Sequence, residues 1–404
     1  MTKYEEKPDL YRRKDKFAKY KQKIKDAEIP EKNKKLLLEF VESMRANKLS
    51  YGRMNKYMLY LRRYAEMLKK EFKEADITDV KRIIADFNDL DYSIHTKHDF
   101  GILVKRFYKW LEGEDETYPK KVRWIRTTMT PKEKHTLYPK PHEIPTNDDI
   151  KKMIEKARTT RDRCLVALLF DSGCRVGELL GLQVKDVELN GNRSHITVEG
   201  KTGMRRVFIK HSIRYIQQWL ENHPHKEDKN FDDAWFFVNY KGQQLGYRTV
   251  HVVLKDLKGK CGLKKHVKVN PHAYRHAQAT ELYRLGVSEA VIKKQLGWSK
   301  SSRMPEVYEH MVQEDVDNAI DQAKRDVDDP PPKPKPPHPL RAQFCDFCGT
   351  KNTPTAKYCE RCGSPMNKRT LIEQDEARGK LLSLLELPEV KKAIFEAMEK
   401  EKQD

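Results

Sequence analysis

Between about Pro30 and Leu111, apolar residues recur at helical spacing, first as Leu36, Leu37, Phe40, Val41 and Met44. The same three- and four-residue rhythm continues through Tyr57, Leu61, Tyr64, Ala65 and Leu68, then Val80, Ile83, Ile84 and Phe87. A fourth stretch runs through Ile102, Leu103, Phe107, Trp110 and Leu111. One apolar stripe per segment, with charge elsewhere, predicts a small all-α domain over 29–115, and Ser50 and Ser93 stand where two N-caps would be. Ahead of it, residues 1–28 are dense in charge and carry little apolar period, so they read as a basic, mobile or weakly helical arm. Residues 116–145, punctuated by Pro119, Pro131, Pro139, Pro141 and Pro145, read as an extended linker.

The pattern changes after Thr146, whose side chain can cap a helix over 148–157. Arg161 to Leu182 is apolar and helical, broken by Ser172-Gly173. His195–Val198 and Arg206–Ile209 then alternate as two strands around the tip Gly200-Lys-Thr-Gly203, a hairpin. Helical patterning returns after Gly262 and lasts to about residue 327. A proline-rich linker over 328–342 separates this second domain, 146–327, from a third module over 343–368 and an amphipathic tail over 369–404. The whole therefore reads as mainly α with one small antiparallel β-sheet.

Charge narrows the partner class. The chain of 404 residues has a formal net charge of +20, which favours a polyanion, since each neutralised phosphate releases condensed counterions. Ribosomal RNA and anionic membranes satisfy the same charge, so composition alone does not choose among them. The charged start lacks a signal-peptide core, and the apolar run Cys164–Phe170 is too short to span a bilayer. Four of seven cysteines form two close pairs and the other three stand alone, which fits a reducing compartment better than a disulfide scaffold. A soluble, cytoplasmic protein is expected.

Candidate chemistry concentrates in three segments. Arg175 lies in Gly173-Cys-Arg-Val-Gly-Glu178, His272 and Arg275 in His-Ala-Tyr-Arg, and Trp298 and Tyr308 close behind. Two guanidiniums can hold the non-bridging oxygens of a phosphodiester in forked hydrogen bonds, and a phenol can attack phosphorus. Each residue also has a plainer reading: Arg175 can pair with Glu178, Lys201 can be a solvated loop lysine, Trp298 can be core, and His276 reads as a core histidine.

The ordered set Arg175, Lys201, His272, Arg275, Trp298, Tyr308 resembles the tyrosine recombinase, or phage integrase, family. Ser172-Gly-Cys-Arg-Val-Gly-Glu-Leu-Leu-Gly-Leu182, Pro271-His-Ala-Tyr-Arg-His-Ala-Gln-Ala-Thr280, Leu296-Gly-Trp-Ser299 and Val307-Tyr-Glu-His310 carry the resemblance. It implies a SAM-like core-binding fold for the N-terminal domain and a catalytic domain that closes with it around duplex DNA. Arg175 and Arg275 would clamp the scissile phosphate, Tyr308 would attack it, and Lys201 would protonate the leaving 5′-oxygen. His272 would assist the tyrosine or bind the phosphate, and Trp298 would give one indole donor. His276 would be a neighbour of the site and not a catalyst. Neither metal nor nucleotide is implied for catalysis, because the 3′-phosphotyrosyl bond retains the energy for rejoining. A homo-tetramer on two duplexes, monomeric or dimeric off DNA, is likewise implied. Trp298 stands where many members carry histidine, and the step from Trp298 to Tyr308 is longer than usual.

Cys345-Asp-Phe-Cys348-Gly and Cys359-Glu-Arg-Cys362-Gly are two like knuckles whose four thiolates suit a structural Zn²⁺ in a zinc ribbon. Such a closed shell has no open position for catalysis. Beyond it, Leu371–Glu386 and Glu389–Lys400 read as two amphipathic helices. The expected function is site-specific recombination, with integration or excision of a mobile element first and an Xer-like resolvase second. A type IB topoisomerase and a non-catalytic DNA-binding protein are the remaining alternatives. The Trp298 variant and the ribbon suggest an archaeal setting by resemblance.

Overall fold

A computed structural model describes residues 9–112, 117–191, 193–200, 203–309, 338 and 340–390. Lys201, the segment carrying Val312, Val316 and Ile320, most of the proline-rich linker, and nearly all of the second tail helix lie outside the described residues. The chain divides into two units, residues 1–140 and 141–404.

The first unit is helical: α1 Arg13–Lys25, α2 Glu31–Ala46, α3 Tyr51–Leu68, α4 Ile77–Asp89 and α5 Ile94–Glu112, then the short α6 Lys120–Arg123 and α7 Pro131–Leu137. Its core is aromatic, with Phe87 stacked on Phe100 at 3.6 Å and Phe72 edge-on to Phe107 at 4.8 Å. The buried hydroxyls of Tyr64 and Tyr108 satisfy each other at 3.0 Å. Ser50 precedes α3 without a side-chain cap, whereas Ser93 Oγ accepts the Thr96 N–H at 3.2 Å.

Two expectations need correction here. Residues 13–25 are not a loose arm: α1 buries Phe17 and Ile24 in the helical core and packs on α3. Widely spaced apolar residues suffice because α2 and α3 supply the rest of the surface. The expected extended linker is also partly core. Val122 and Ile125 are buried, and the Lys105 ammonium, itself buried, donates to the Arg123 and Ile125 carbonyls at 3.1 and 2.7 Å. The prolines in this stretch start short helices: Pro119 precedes α6, and Pro131 is the first residue of α7.

The second unit opens with α8 Asn147–Lys156, closed by a reciprocal capping box between Thr146 and Asp149. Its central helix is α9 Thr160–Ser172, buried continuously from Cys164 to Ser172 and covered by α8, α11 Ile213–Glu221 and α13 Pro271–Arg284. A three-stranded antiparallel sheet lies beside it in the order β1 Val187–Glu188, β2 Ser194–Gly200, β3 Gly203–Ile209. Ile196 faces Val207 in register, both buried, and Gly200 faces Gly203 at the tip. β1 is an addition to the expected hairpin; two residues are too few to show a period.

The remaining helices are α10 Val176–Leu180, α12 Tyr247–Lys260, α14 Glu289–Leu296 and α15 Pro305–Glu309. A two-stranded ribbon of β4 Gln343–Phe344 and β5 Lys351–Asn352 follows, then α16 Lys368–Leu385. The ribbon docks on α11: Arg214 donates to the Lys351 carbonyl at 2.8 Å and to Glu360 at 3.1 Å, and Tyr215 shares a hydrogen bond with Thr355 at 3.0 Å. His338 stacks on His211 at 3.6 Å, and Leu340 is buried. Among the described residues no helix is long and apolar enough to cross a membrane.

Candidate active site

The site is assembled from helix ends. α9 stops at Gly173, whose φ of +60° is a left-handed conformation that a β-carbon would strain, and the chain turns directly into Cys174 and Arg175. Arg175 is the N-cap of α10. Its guanidinium donates to Glu178 Oε1 at 2.8 Å, while its backbone N–H donates to Oε2 at 2.8 Å. The plain reading of Arg175 as a partner of Glu178 is therefore present in the fold, and about a third of its side chain remains open to solvent.

Glu178 is itself buried and is gripped from the other side by Arg205 of β3, at 3.0 and 2.8 Å. Burial raises its carboxyl pKa, but the hydrogen bonds and charge of Arg205, and then those of Arg175, outweigh that and hold it below the usual range. Arg205 also donates to the Gln295 carbonyl and lies against Gly297, where an added Cβ would meet its guanidinium at 2.8 Å. Gly297 needs to be glycine twice over, since its φ is +64°. Nothing in the spacing of Arg205 distinguishes it from Arg206, which faces Glu188 on the surface.

α13 starts at Pro271 behind the Asn270 cap and carries His272, Arg275 and His276. Arg275 is buried; one terminal nitrogen donates to the Gly173 carbonyl at 2.9 Å and the other to the Leu296 carbonyl at 2.5 Å. Desolvation, reinforced by the neighbouring charge of Arg175, lowers its pKa to about 10, so it stays cationic at neutral pH. Two guanidiniums close enough for one charge to act on the other make a site suited to an anion. His272 has an exposed edge, yet the protein crowded around its ring, and then Arg275 and Arg175, lower its pKa.

Tyr308 lies on α15 and is fully buried. Its ring stacks between Tyr283 at 5.6 Å and Trp298 at 5.7 Å, nearly parallel to both. Its hydroxyl meets His276 Nδ1 at 2.5 Å. Burial, aided by His272 and Arg275, lowers the His276 pKa to about 3, so the ring is neutral, and in its Nε2–H tautomer Nδ1 accepts from the phenol. Burial raises the phenol pKa, and Arg275 opposes that rise. Trp298 also places its ring under the Arg275 guanidinium, 5.7 Å away, in a cation–π contact. Five of the six expected catalytic residues therefore converge in one unit; the sixth, Lys201, lies outside the described residues. The contact from histidine to tyrosine falls to His276 and not to His272, a distinction that helical spacing leaves open because both rings lie on one face, 4.6 Å apart.

In the ribbon, the Sγ atoms of Cys345, Cys348, Cys359 and Cys362 lie within 4.8 Å of one another. Cys345 to Cys362 is 3.6 Å and Cys348 to Cys359 is 3.5 Å, against about 3.8 Å for the edges of a tetrahedron with 2.3 Å Zn–S bonds. Gly349 and Gly363 close equivalent turns at φ +70° and +71°, each donating its N–H to the first cysteine of its knuckle. The four residues can hold a metal ion.

Two guanidiniums beside a tyrosine paired to a buried histidine are an arrangement that can hold a phosphodiester and attack it. Residues 144–315 match the model of the phage integrase family. XerA of Pyrococcus horikoshii is 27% identical over 298 residues, 72% of this chain and 94% of the relative. XerA of Saccharolobus solfataricus is 25% identical, covering 66% of this chain and 85% of its own length. XerS of Streptococcus uberis is 31% identical over 40% of this chain and 45% of that one. The fold matches XerH bound to palindromic difH with a TM-score of 0.55, at 19% identity over 80% of this chain and 98% of that chain. It also matches a lambda integrase dimer on a COC′ core site with a TM-score of 0.52, at 15% identity over 67% and 96%. The chain carries a phage integrase domain over residues 144–315 and is similar to tyrosine recombinases over most of its length, which makes it a site-specific DNA recombinase, an enzyme of DNA breakage and rejoining.

Proposed function

We propose that this recombinase cleaves one strand at a time through a covalent 3′-phosphotyrosyl link at Tyr308. The observation that carries the reading is the Tyr308 hydroxyl held at 2.5 Å by a neutral, buried His276 beside Arg275. His276, in this reading, takes the phenolic proton as oxygen attacks phosphorus. Arg175 and Arg275 stabilise the charge that builds on the non-bridging oxygens. Lys201 protonates the departing 5′-oxygen, and His272, at the open edge, hydrogen-bonds the phosphate. Trp298 holds the nucleophile's ring and the Arg275 fork in one stack, a positioning role.

Cleavage in cis is proposed, since Tyr308 already rests on the histidine of its own chain. Four protomers acting on two duplexes would exchange strands in sequence, each rejoining step drawing on the retained phosphotyrosyl bond. The four cysteines hold a structural Zn²⁺ in a closed shell that takes no part in the chemistry. Two biological roles fit. An Xer-like resolvase draws support from relatives matched over 94% and 85% of their length. Integration or excision of a mobile element draws support from the length of this chain outside those matches.

Incubation with nicked suicide duplexes tests the reading. A covalent adduct dependent on sequence is expected, together with recombination between two copies of the site. Relaxation of plasmid without site preference would move the protein to the topoisomerase class, and no adduct on any site would overturn the proposal. Mixed Tyr308→Phe and Arg175→Ala subunits should stay inactive; recovered cleavage would show delivery in trans.

A further inference from the structure

The docking of the ribbon on α11 leaves a cleft of about 440 Å³ between the two. Lys210 and Arg214 line it from the catalytic side, Arg341 and Lys351 from the ribbon side, and Phe344 stands at its edge, 62% exposed. Among the described residues only Arg214 of these four cations has a carboxylate partner, Glu360. Three cations without carboxylate partners facing one recess repel each other, so the recess favours an anion.

The cleft is also held in shape. Asp171 Oδ2 accepts the N–H groups of Lys210, His211 and Ser212, each at 2.9 Å, and the Ser212 hydroxyl at 2.7 Å. The His211–His338 stack and buried Leu340 fix the opposite wall. Lys210 follows β3, whose far end meets Gly200, and a Cβ at Gly200 would run into Glu178 of the active site. The cleft therefore lies one strand away from the chemistry, roughly 20 Å at 3.3 Å per residue. That is the rise of about six base pairs, at 3.4 Å each.

We propose that this cleft binds the phosphodiester backbone of DNA flanking the cleavage site, with Lys210, Arg341 and Lys351 as phosphate ligands. The inference rests on the recombinase reading for its substrate. It gives the ribbon a second role beside its own folding: completing a nucleic-acid groove that the catalytic domain has only half of. Phe344, with Phe347 of the first knuckle 83% exposed, offers stacking faces where a strand is unpaired.

The test compares the full-length protein with a Lys210→Gln, Arg341→Gln, Lys351→Gln triple variant. Binding is measured against salt on a duplex of about one helical turn centred on the cleavage site, which ends short of the cleft, and on one longer by about two turns at each end. On the longer duplex the slope of log K against log salt should fall by about 2.7, or 0.9 for each phosphate that is no longer neutralised. On the shorter duplex it should stay nearly unchanged. An unaltered slope on the long duplex overturns the proposal, as it would if the cleft receives an acidic protein segment. Equal reductions on both lengths overturn it too, because the cleft would not be reading flanking DNA. Should the triple variant fail to fold, Lys351→Glu, one exposed charge reversed, is read the same way and should lower the long-duplex slope by at least about 0.9. Both duplexes carry at their centre the site that gives the covalent adduct, which fixes the register, since phosphate contacts alone carry no sequence information. Failure of the recombinase reading would appear separately, as no covalent adduct in the unaltered protein.

Discussion

Neutral His276 in a buried pair with Tyr308 has a cost that pH should reveal. Its folded-state pKa is about 3 while the unfolded ring keeps about 6.5, so between those values the unfolded chain binds more protons. Stability is therefore full above about pH 6.5 and falls as pH drops toward 3. Burial lowers His338 in the same sense, also to about 3, so both rings contribute. Thermal melting at several pH values should show this acid loss, smaller in His276→Gln; an equal loss in that variant would remove the histidine from the explanation. Arg205 is the second residue whose weight only the fold discloses. Arg205→Met leaves a buried Glu178 with one cationic partner and should destabilise by about 3 kcal/mol in chemical denaturation. Arg175, Arg275 and Tyr308 are legible from ordered motifs, because their chemistry is in their side chains. His276 and Arg205 are not, because their importance lies in what they touch.

Periodicity works where an element supplies its own apolar stripe and fails where neighbours supply it. The four long N-terminal stripes are all helices, and the hairpin sits where alternation places it. α1 has the pattern of a loose arm because Phe17 and Ile24 stand among lysines. Phe17→Ala should cost about 3 kcal/mol if that helix is integral, and near zero in urea denaturation would restore the arm. The loop Lys300–Pro305, which lengthens the step from Trp298, is absorbed by turns: Ser302 N–H donates to the Ser299 carbonyl, and Pro305 opens α15. Tyr308 reaches the Trp298 stack all the same.

Across the whole chain the ribbon is the part whose setting local patterns describe least. Its spacing marks a separate module, yet it packs on α11 through Arg214, Tyr215 and Gln218, a contact between distant segments that no local pattern announces. Cys345→Ser with Cys362→Ser should release one zinc per chain and lower the melting temperature, while the adduct still forms on a short core duplex; absence of that adduct would make the ribbon part of the catalytic unit's support.

The central claim is that Tyr308 is the nucleophile. The direct measurement is proteolysis of the trapped suicide-duplex adduct and identification of the modified peptide by mass spectrometry. A 3′-phosphonucleotide on Tyr308, with a free 5′-hydroxyl on the released strand and no adduct from Tyr308→Phe, is the expected result. Attachment to any other residue, or an undiminished adduct from Tyr308→Phe, would contradict it.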